Sequence, residues 1–115
     1  LSEFSIVFQN NTAEELESLY LQEQREEFSV CLQGKHENKV YFINSFYQPI
    51  TYQRTFNHVT FKACDAETLV MLHSHPYKRC TASQTDLETL VQSQQQNPAM
   101  VMVVMCEPQR YAVYR

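Results

Sequence analysis

The stretch that decides the fold is LVMLHSHP at residues 69–76, followed at a fixed distance by SQTD at residues 83–86. The first four residues, LVML, are continuously apolar, which predicts a buried β-strand that delivers two histidines at its end. Side chains at positions i and i+2 of a strand lie on the same face, about 6.6 Å apart along the chain. The imidazoles of His73 and His75 can therefore converge on one metal ion. Pro76, which lacks an N–H group, is predicted to end the strand.

The second half of the stretch predicts the start of a helix over residues 83–96. Ser83 is a favoured N-cap residue, and the apolar residues after it recur at helical spacing. Asp86 then lies in the first turn, where the helix dipole favours an ionised carboxylate. Two histidines from a strand and one aspartate from the next helix are typical of an open catalytic zinc site with water in the fourth position. The sequence thus predicts Zn²⁺ held by His73, His75 and Asp86.

Each half of this motif has a simpler explanation when it stands alone. Ser83-x-x-Asp86 is an ordinary capping signature, and a lone His-x-His is often a surface pair. The two halves together at this spacing are rare by chance in a chain of this length, which favours the metal site. His36 and His58 have no ligand partner at a useful spacing, so we expect neither to bind the metal.

The composition predicts one globular domain over residues 1–115, with 43% hydrophobic and 19% charged residues. Nine basic against thirteen acidic residues argue against a nucleic-acid partner. No apolar run reaches the length of a membrane span, so we expect no membrane partner. The four cysteines form neither a C-x-x-C pair nor a dense framework, which favours a reduced, cytoplasmic setting. Cys31 and Cys106 are then expected to be buried thiols, and Cys80 a solvent-facing loop thiol.

Outside the motif, the pattern predicts the remaining strands and a second helix. Thr12 begins a capping box at the start of this first helix. Residues 35–38 are expected to turn the chain between two strands, and residues 99–106 form an apolar run typical of a central strand. Residues 47–56 predict a loop, or a strand interrupted by a loop. The total of six or seven strands and two helices predicts an α/β or α+β domain, in which helices flank a mixed β-sheet.

The motif at residues 73–86 also resembles the signature of the JAMM (MPN+) metalloprotease family. Members of that family are zinc isopeptidases that act on ubiquitin and ubiquitin-like proteins. An upstream stretch with Glu27, Phe28, Leu32 and Gly34 is similar to the strand that supplies the catalytic glutamate of the family. The resemblance implies the JAMM architecture, which is similar to that of the cytidine deaminases.

The resemblance also implies catalytic roles. A base must take a proton from the attacking water and pass it to the leaving amine. The residues alone do not separate Glu26 from Glu27, and the spacing of the family strand selects Glu27. Ser83 can serve twice, as the N-cap and as a hydroxyl donor to the oxyanion of the tetrahedral intermediate. The implied reaction is hydrolysis of a lysine isopeptide bond, or of a peptide bond after a Gly-Gly tail.

The short segments between the motifs leave little room for the long insertions with which some eukaryotic relatives hold ubiquitin. This favours a compact, prokaryotic-type member whose partner is a small ubiquitin-like protein or a sulfur-carrier protein. Two alternatives stay open. One is a non-enzymatic scaffold domain, although the complete ligand set weighs against it. The other is a peptidase module of a phage-tail or cell-wall apparatus. A zinc deaminase is disfavoured, because the chain has neither His-x-Glu nor Pro-Cys-x-x-Cys.

Overall fold

Eight strands and two helices make up the described part of the chain. The computed structural model describes residues 4–23, 25–55, 58–61, 63–75 and 80–115, with only the backbone described in the strands within 51–61. In chain order, the elements are β1 (Ser5–Phe8), α1 (Thr12–Gln22), β2 (Ser29–Glu37), β3 (Val40–Tyr47), β4 (Thr51–Thr55), β5 (His58–Phe61), β6 (Val70–Ser74), α2 (Gln84–Gln96), β7 (Val101–Glu107) and β8 (Arg110–Tyr114).

Six of these strands form one mixed sheet in the order β1-β3-β2-β6-β7-β8. The pairs β1–β3 and β6–β7 are parallel, whereas β2 runs antiparallel to β3 and β6, and β7 runs antiparallel to β8. The strands β4 and β5 pair with each other in a separate two-stranded antiparallel ribbon. The predicted fold class, a mixed sheet flanked by helices, is confirmed.

Each face of the sheet is covered by one helix. Leu16 of α1 belongs to a buried cluster with Leu72 on one face, and Leu90 of α2 belongs to another with Met71 and Met102 on the opposite face. Because β6 and β7 are covered on both sides, every residue of these two strands is buried except Glu107 at the end of β7, which is half-buried. The apolar run predicted as a central strand is therefore β7.

The end of β6 fixes where the histidines lie. His73 is the fourth residue of this strand, and His75 follows directly after its end. The neighbouring strand β2 runs antiparallel and places Ser29 opposite His73. Continuation of this register by two residues past the end of the pairing brings Glu27 towards His75, on the face that carries His73, because opposite residues of an antiparallel pair share a face. Pro76, predicted to end the strand, lies outside the described residues.

The first helix begins differently from the prediction. Its N-cap is Asn11, whose side chain makes no capping hydrogen bond. Thr12 is already inside the helix, and its hydroxyl donates to the carbonyl oxygen of Gln9 at 2.7 Å. The predicted capping box at Thr12 is therefore wrong. Asn10 adopts a positive φ of 57°, so the turn that starts the helix lies one residue earlier than predicted. A capping pattern in the sequence does not specify the first residue of a helix to within one position.

The turn between β2 and β3 is also later than predicted. Residues 35–38 were expected to form it, but β2 continues through Glu37. The chain reverses at Asn38, which has a φ of 55°. Asparagine tolerates this left-handed conformation better than most residues, so it can replace glycine in the turn. Polar residues at the end of a long, exposed hairpin look like a turn in sequence, which explains the error.

Residues 47–55 include parts of two strands as well as the connection between them. β3 continues through Tyr47 and β4 begins at Thr51, so the expectation of a strand interrupted by a loop is confirmed for this part. Phe56 lies outside the described residues. The hydroxyl of Tyr47 accepts a hydrogen bond of 3.0 Å from the backbone N–H of Asp65. This contact joins the segment that enters the β4–β5 ribbon to the segment that leaves it.

All four cysteines are paired. Cys31 forms a disulfide with Cys64, and Cys80 forms one with Cys106, with Cα–Cα distances of 5.7 and 5.2 Å. The expectation of buried or solvent-facing thiols is therefore wrong. The partners are 33 and 26 residues apart, and the fold brings them together in a way that local spacing does not reveal. The cytoplasmic location stays a prediction. In the described part of the chain, no helix is long and apolar enough to span a membrane.

Candidate metal centre

Two carboxylates and two imidazoles come together at the end of β6. Glu27, His73, His75 and Asp86 each place one potential ligand atom within 4.8 Å of those of the other three. His73 is buried, and the other three residues are half-buried. The four residues are those that the motif and the family resemblance single out, and Glu26 is not a member of the group.

One carboxylate oxygen lies against both imidazoles. Asp86 Oδ2 is 3.1 Å from His73 Nε2 and 3.2 Å from His75 Nε2. Ligands of a tetrahedral zinc ion with bonds of 2.0–2.1 Å are about 3.3 Å apart. The three atoms therefore have the mutual spacing of donors that share one ion.

His73 Nε2 supplies a second test of the fit. This atom is buried and makes no hydrogen bond within the described part of the chain, even though Asp86 Oδ2 is close to it. A buried polar atom without a hydrogen-bond partner costs about 1–3 kcal/mol. Neutral imidazole nitrogen is a preferred ligand of zinc, so a bound ion would remove this cost. The donor set of two imidazoles and a carboxylate fits a zinc ion.

The first turn of α2 orients the carboxylate of Asp86. The backbone N–H of Ser83 donates to Asp86 Oδ2 at 2.8 Å, and the backbone N–H of Asp86 donates to Ser83 Oγ at 3.0 Å. This reciprocal pair is a capping box, and it confirms Ser83 as the N-cap of the helix. Burial raises the pKa of Asp86, but the two imidazoles and the N–H of Ser83 lower it by more, so the pKa lies well below its ordinary value. The carboxylate is therefore ionised, as a metal ligand must be.

Ser74, between the two histidines, positions the strand that carries Glu27. Its hydroxyl accepts a hydrogen bond of 2.9 Å from the backbone N–H of Phe28, and its own N–H donates to the carbonyl oxygen of Phe28 at 2.9 Å. The residue next to Glu27 is thereby fixed on the His-x-His segment. The motif does not predict this role of Ser74. The available signal was that alternation turns Ser74 away from the histidines into the apolar face, where a buried hydroxyl requires a partner.

The histidine segment is also fixed on its other side. The backbone N–H of His75 donates to the carbonyl oxygen of Met105 in β7 at 3.0 Å. This bond extends the parallel pairing of β6 and β7 by one residue past the end of β6. Both histidines consequently have backbones held by the sheet, whereas Asp86 is held by the start of a helix.

The fold and the site together place a candidate metal centre at the end of a mixed sheet flanked by two helices. Among solved structures, the chain is similar to a JAB1/MPN domain protein from Archaeoglobus fulgidus, with a TM-score of 0.58. The similarity covers 100% of this chain and 90% of that chain at 15% sequence identity, and at this identity it shows the fold. No family model and no curated protein matches the sequence.

Proposed function

We propose that the chain is a zinc-dependent peptidase that hydrolyses the amide bond after the C-terminal Gly-Gly tail of a ubiquitin-like protein, ubiquitin or a sulfur-carrier protein. The observation that carries this proposal is the grouping of Glu27, His73, His75 and Asp86 within 4.8 Å. The JAB1/MPN fold and the resemblance of the sequence motif to the JAMM family support the same reaction.

His73, His75 and Asp86 would hold the ion. Three protein ligands leave an open position, which distinguishes a catalytic zinc site from a structural one. When bound, zinc supplies Lewis acidity, which activates water at neutral pH and polarises the carbonyl group of the substrate. Partial burial of the two imidazoles and the carboxylate strengthens their electrostatic interactions with a bound ion, because little water screens them.

Glu27 would act as the general base and then as the general acid. Its carboxylate is close to the three ligands, so it is within reach of a water molecule between them and the substrate. It takes the proton from this water as the water attacks the scissile carbonyl, and it then passes the proton to the leaving amine. The two hydrogen bonds between Phe28 and Ser74 keep the backbone beside Glu27 in place for both proton transfers.

Ser83 would stabilise the oxyanion of the tetrahedral intermediate. Its hydroxyl oxygen accepts the N–H of Asp86, and this leaves the proton of the hydroxyl to be donated in another direction. Ser83 also lies at the N-terminus of α2, where the helix dipole favours negative charge. A preorganised donor directed at developing charge is often the largest single contribution to catalysis.

The β4–β5 ribbon is the proposed docking element for the substrate tail. β3 ends at Tyr47, which is opposite Cys31, two residues along β2 from the partner of His73. The chain therefore leaves the main sheet for the ribbon at the end that carries the metal group, which consists of Glu27, His73, His75 and Asp86. An extended tail can add to a strand edge through main-chain hydrogen bonds, and small residues let it approach the metal closely.

The test uses the protein loaded with one equivalent of zinc and ubiquitin-fold proteins whose Gly-Gly tail is joined to a fluorescent amine. We expect release of the amine by the wild-type protein, no release by the zinc-free protein, and release about 10²–10⁴-fold slower by Glu27→Gln. Binding of the same substrates without any release would contradict the proposed peptidase and favour a scaffold.

A further inference from the structure

The segment 80–82, which leads into Ser83, is fastened to the last two strands of the sheet. The disulfide between Cys80 and Cys106 joins it to the end of β7. The hydroxyl of Tyr114 in β8 donates to the carbonyl oxygen of Cys80 at 3.1 Å and accepts the N–H of Ala82 at 3.0 Å. One covalent bond and two hydrogen bonds therefore hold Cys80 and Ala82, on either side of Thr81, immediately before the N-cap of α2.

The two sulfur atoms of this disulfide differ in accessibility. Cys80 is half-buried, whereas Cys106 has no exposed surface. A thiolate from outside therefore reaches Cys80 and not Cys106. Arg110 lies against both atoms, with its Nε donor 3.1 Å from Cys80 Sγ and 3.3 Å from Cys106 Sγ. Its guanidinium also pairs with Glu107 at 3.0 Å.

We propose that the Cys80–Cys106 disulfide is a reversible redox site, which on reduction releases the segment 80–82 and weakens metal binding through Ser83 and Asp86. The inference rests on the proposed metal site for its functional consequence, but the release of the segment stands apart from peptidase activity. The matching reductant is a dithiol, either a small molecule or a dithiol protein.

The reduction balances as an ordinary thiol–disulfide exchange. A thiolate of the dithiol attacks Cys80 Sγ, forms a mixed disulfide and displaces the sulfur of Cys106 as a thiolate. The positive charge of Arg110 stabilises this leaving group. The second thiol of the reductant then attacks the mixed disulfide and displaces the thiolate of Cys80. Two electrons pass to the protein, both cysteines take up a proton, and the reductant becomes a disulfide.

The consequence for the metal follows from the capping box. Asp86 Oδ2 is oriented by the N–H of Ser83, and the position of that N–H depends on the segment immediately before it. Once the disulfide is broken, the segment keeps the two hydrogen bonds to Tyr114 and the packing of Ala82 in the cluster with Leu90, but it loses its covalent tie to β7. Loss of support behind a ligand typically weakens metal binding about 10–100-fold.

The experiment compares oxidised protein with protein reduced by dithiothreitol and then freed of reductant under nitrogen. Amide hydrogen exchange, followed by NMR, reports on the N–H groups of Ala82 and Asp86, and Ser74 serves as an internal control in the sheet. We expect faster exchange at Ala82 and Asp86 after reduction and unchanged exchange at Ser74. Zinc affinity, measured by competition with a chromophoric chelator, should fall about tenfold or more.

Two variants assign the response to one disulfide. Cys64→Ser removes the other disulfide and should keep the full redox response. Cys80→Ser should show no response and should resemble the reduced wild type in both exchange and zinc affinity. The proposal is overturned if alkylation finds a reactive thiol at Cys80 in the oxidised protein, if Ala82 and Asp86 do not respond, or if Cys80→Ser still responds. Failure of the peptidase assay alone would contradict the proposed function and leave these exchange measurements interpretable.

Discussion

Asp86 Oδ2 accepts a hydrogen bond of 2.8 Å from the backbone N–H of Ser83. The same oxygen is the one that faces both imidazoles of the metal group. The helix cap and the candidate carboxylate ligand are therefore one structural unit, and a change in either alters the other. Because of this coupling, a loss of activity in a variant of this site has to be separated from a loss of metal and a loss of stability.

Replacement of His75 by alanine should remove the metal. The two remaining candidate ligands cannot hold a zinc ion as three do, and Asp86 loses one of its two imidazole neighbours. We expect wild-type protein purified without added metal to contain one zinc per chain and His75→Ala to contain almost none, as measured by elemental analysis. His36→Ala is the matched control, because His36 lies outside the metal group and stacks on Tyr41. Full zinc occupancy in His75→Ala would show that the ligand assignment is wrong.

Replacement of Glu27 by glutamine should preserve zinc content and abolish most hydrolysis. The amide retains the size of the carboxylate but does not accept a proton, and loss of a general base typically costs about 10²–10⁴-fold in rate. Single-turnover rates with equal zinc loading measure the effect. Glu26→Gln is the control and should retain nearly full activity. A larger loss in Glu26→Gln would move the base by one residue.

Replacement of Ser83 by alanine should affect stability and catalysis by separable amounts. Loss of the N-cap costs about 0.5–2 kcal/mol in the free energy of unfolding, which urea denaturation measures. Loss of an oxyanion donor costs about 10²–10³-fold in kcat. Ser83→Thr keeps the hydroxyl and should restore much of both. If kcat in Ser83→Ala falls only in proportion to its zinc content, Ser83 has no part in the oxyanion step.

The tail specificity should favour the smallest side chains. Near the scissile carbonyl, side chains larger than a methyl group would compete for space with Ser83 and the attacking water. A panel of ubiquitin-fold proteins with Gly-Gly or Ala-Ala tails, each joined to a fluorescent amine, measures this preference as a ratio of kcat/KM values. We expect Gly-Gly to be cleaved faster. Equal cleavage of both tails, or preferred cleavage of an unfolded casein-like chain, would contradict the prediction.

Any side chain at position 34 should destabilise the pairing of β2 with β3. A Cβ atom at this position would overlap the carbonyl oxygen of Phe42 in β3, which is backbone and cannot rotate away. The pairing register shifts between Gln33 and Gly34, and glycine permits the close approach at this bulge. Gly34→Ala should lower the free energy of unfolding by about 1–3 kcal/mol, measured by urea denaturation. Gln33→Ala is the neighbouring control, and an equal effect in both variants would argue against a clash.

The sequence was most informative where the signal was local. The i and i+2 spacing of His73 and His75, and the capping signature from Ser83 to Asp86, predicted a strand end and a helix start that the structure shows. Glu27 needed the family resemblance, because neighbouring glutamates have the same chemistry and only the register of β2 against β6 distinguishes them.

Contacts between distant parts of the chain could not be predicted in the same way. The hydrogen bonds between Ser74 and Phe28 join residues 46 positions apart, and the disulfide joins Cys80 to Cys106 of β7, which is 26 positions away. Such contacts are decided by sheet order, which leaves no periodic signal in the residues themselves. The late turn at Asn38 shows the related limit that polar residues suit both an exposed hairpin and a turn.

The position of β6 between β2 and β7 has a consequence for how the protein would lose a bound metal ion. His73 belongs to a strand that is hydrogen-bonded on both sides and buried on both faces, so its backbone opens only when the centre of the sheet opens. Asp86 belongs to the first turn of a helix, and helix ends fray at far lower cost. Departure of a bound ion should therefore begin with the detachment of Asp86 as the first turn of α2 frays, and it should leave the two histidines in place. A metal-depleted chain would keep two of the three proposed ligands in position, and rebinding would require one turn of helix to re-form.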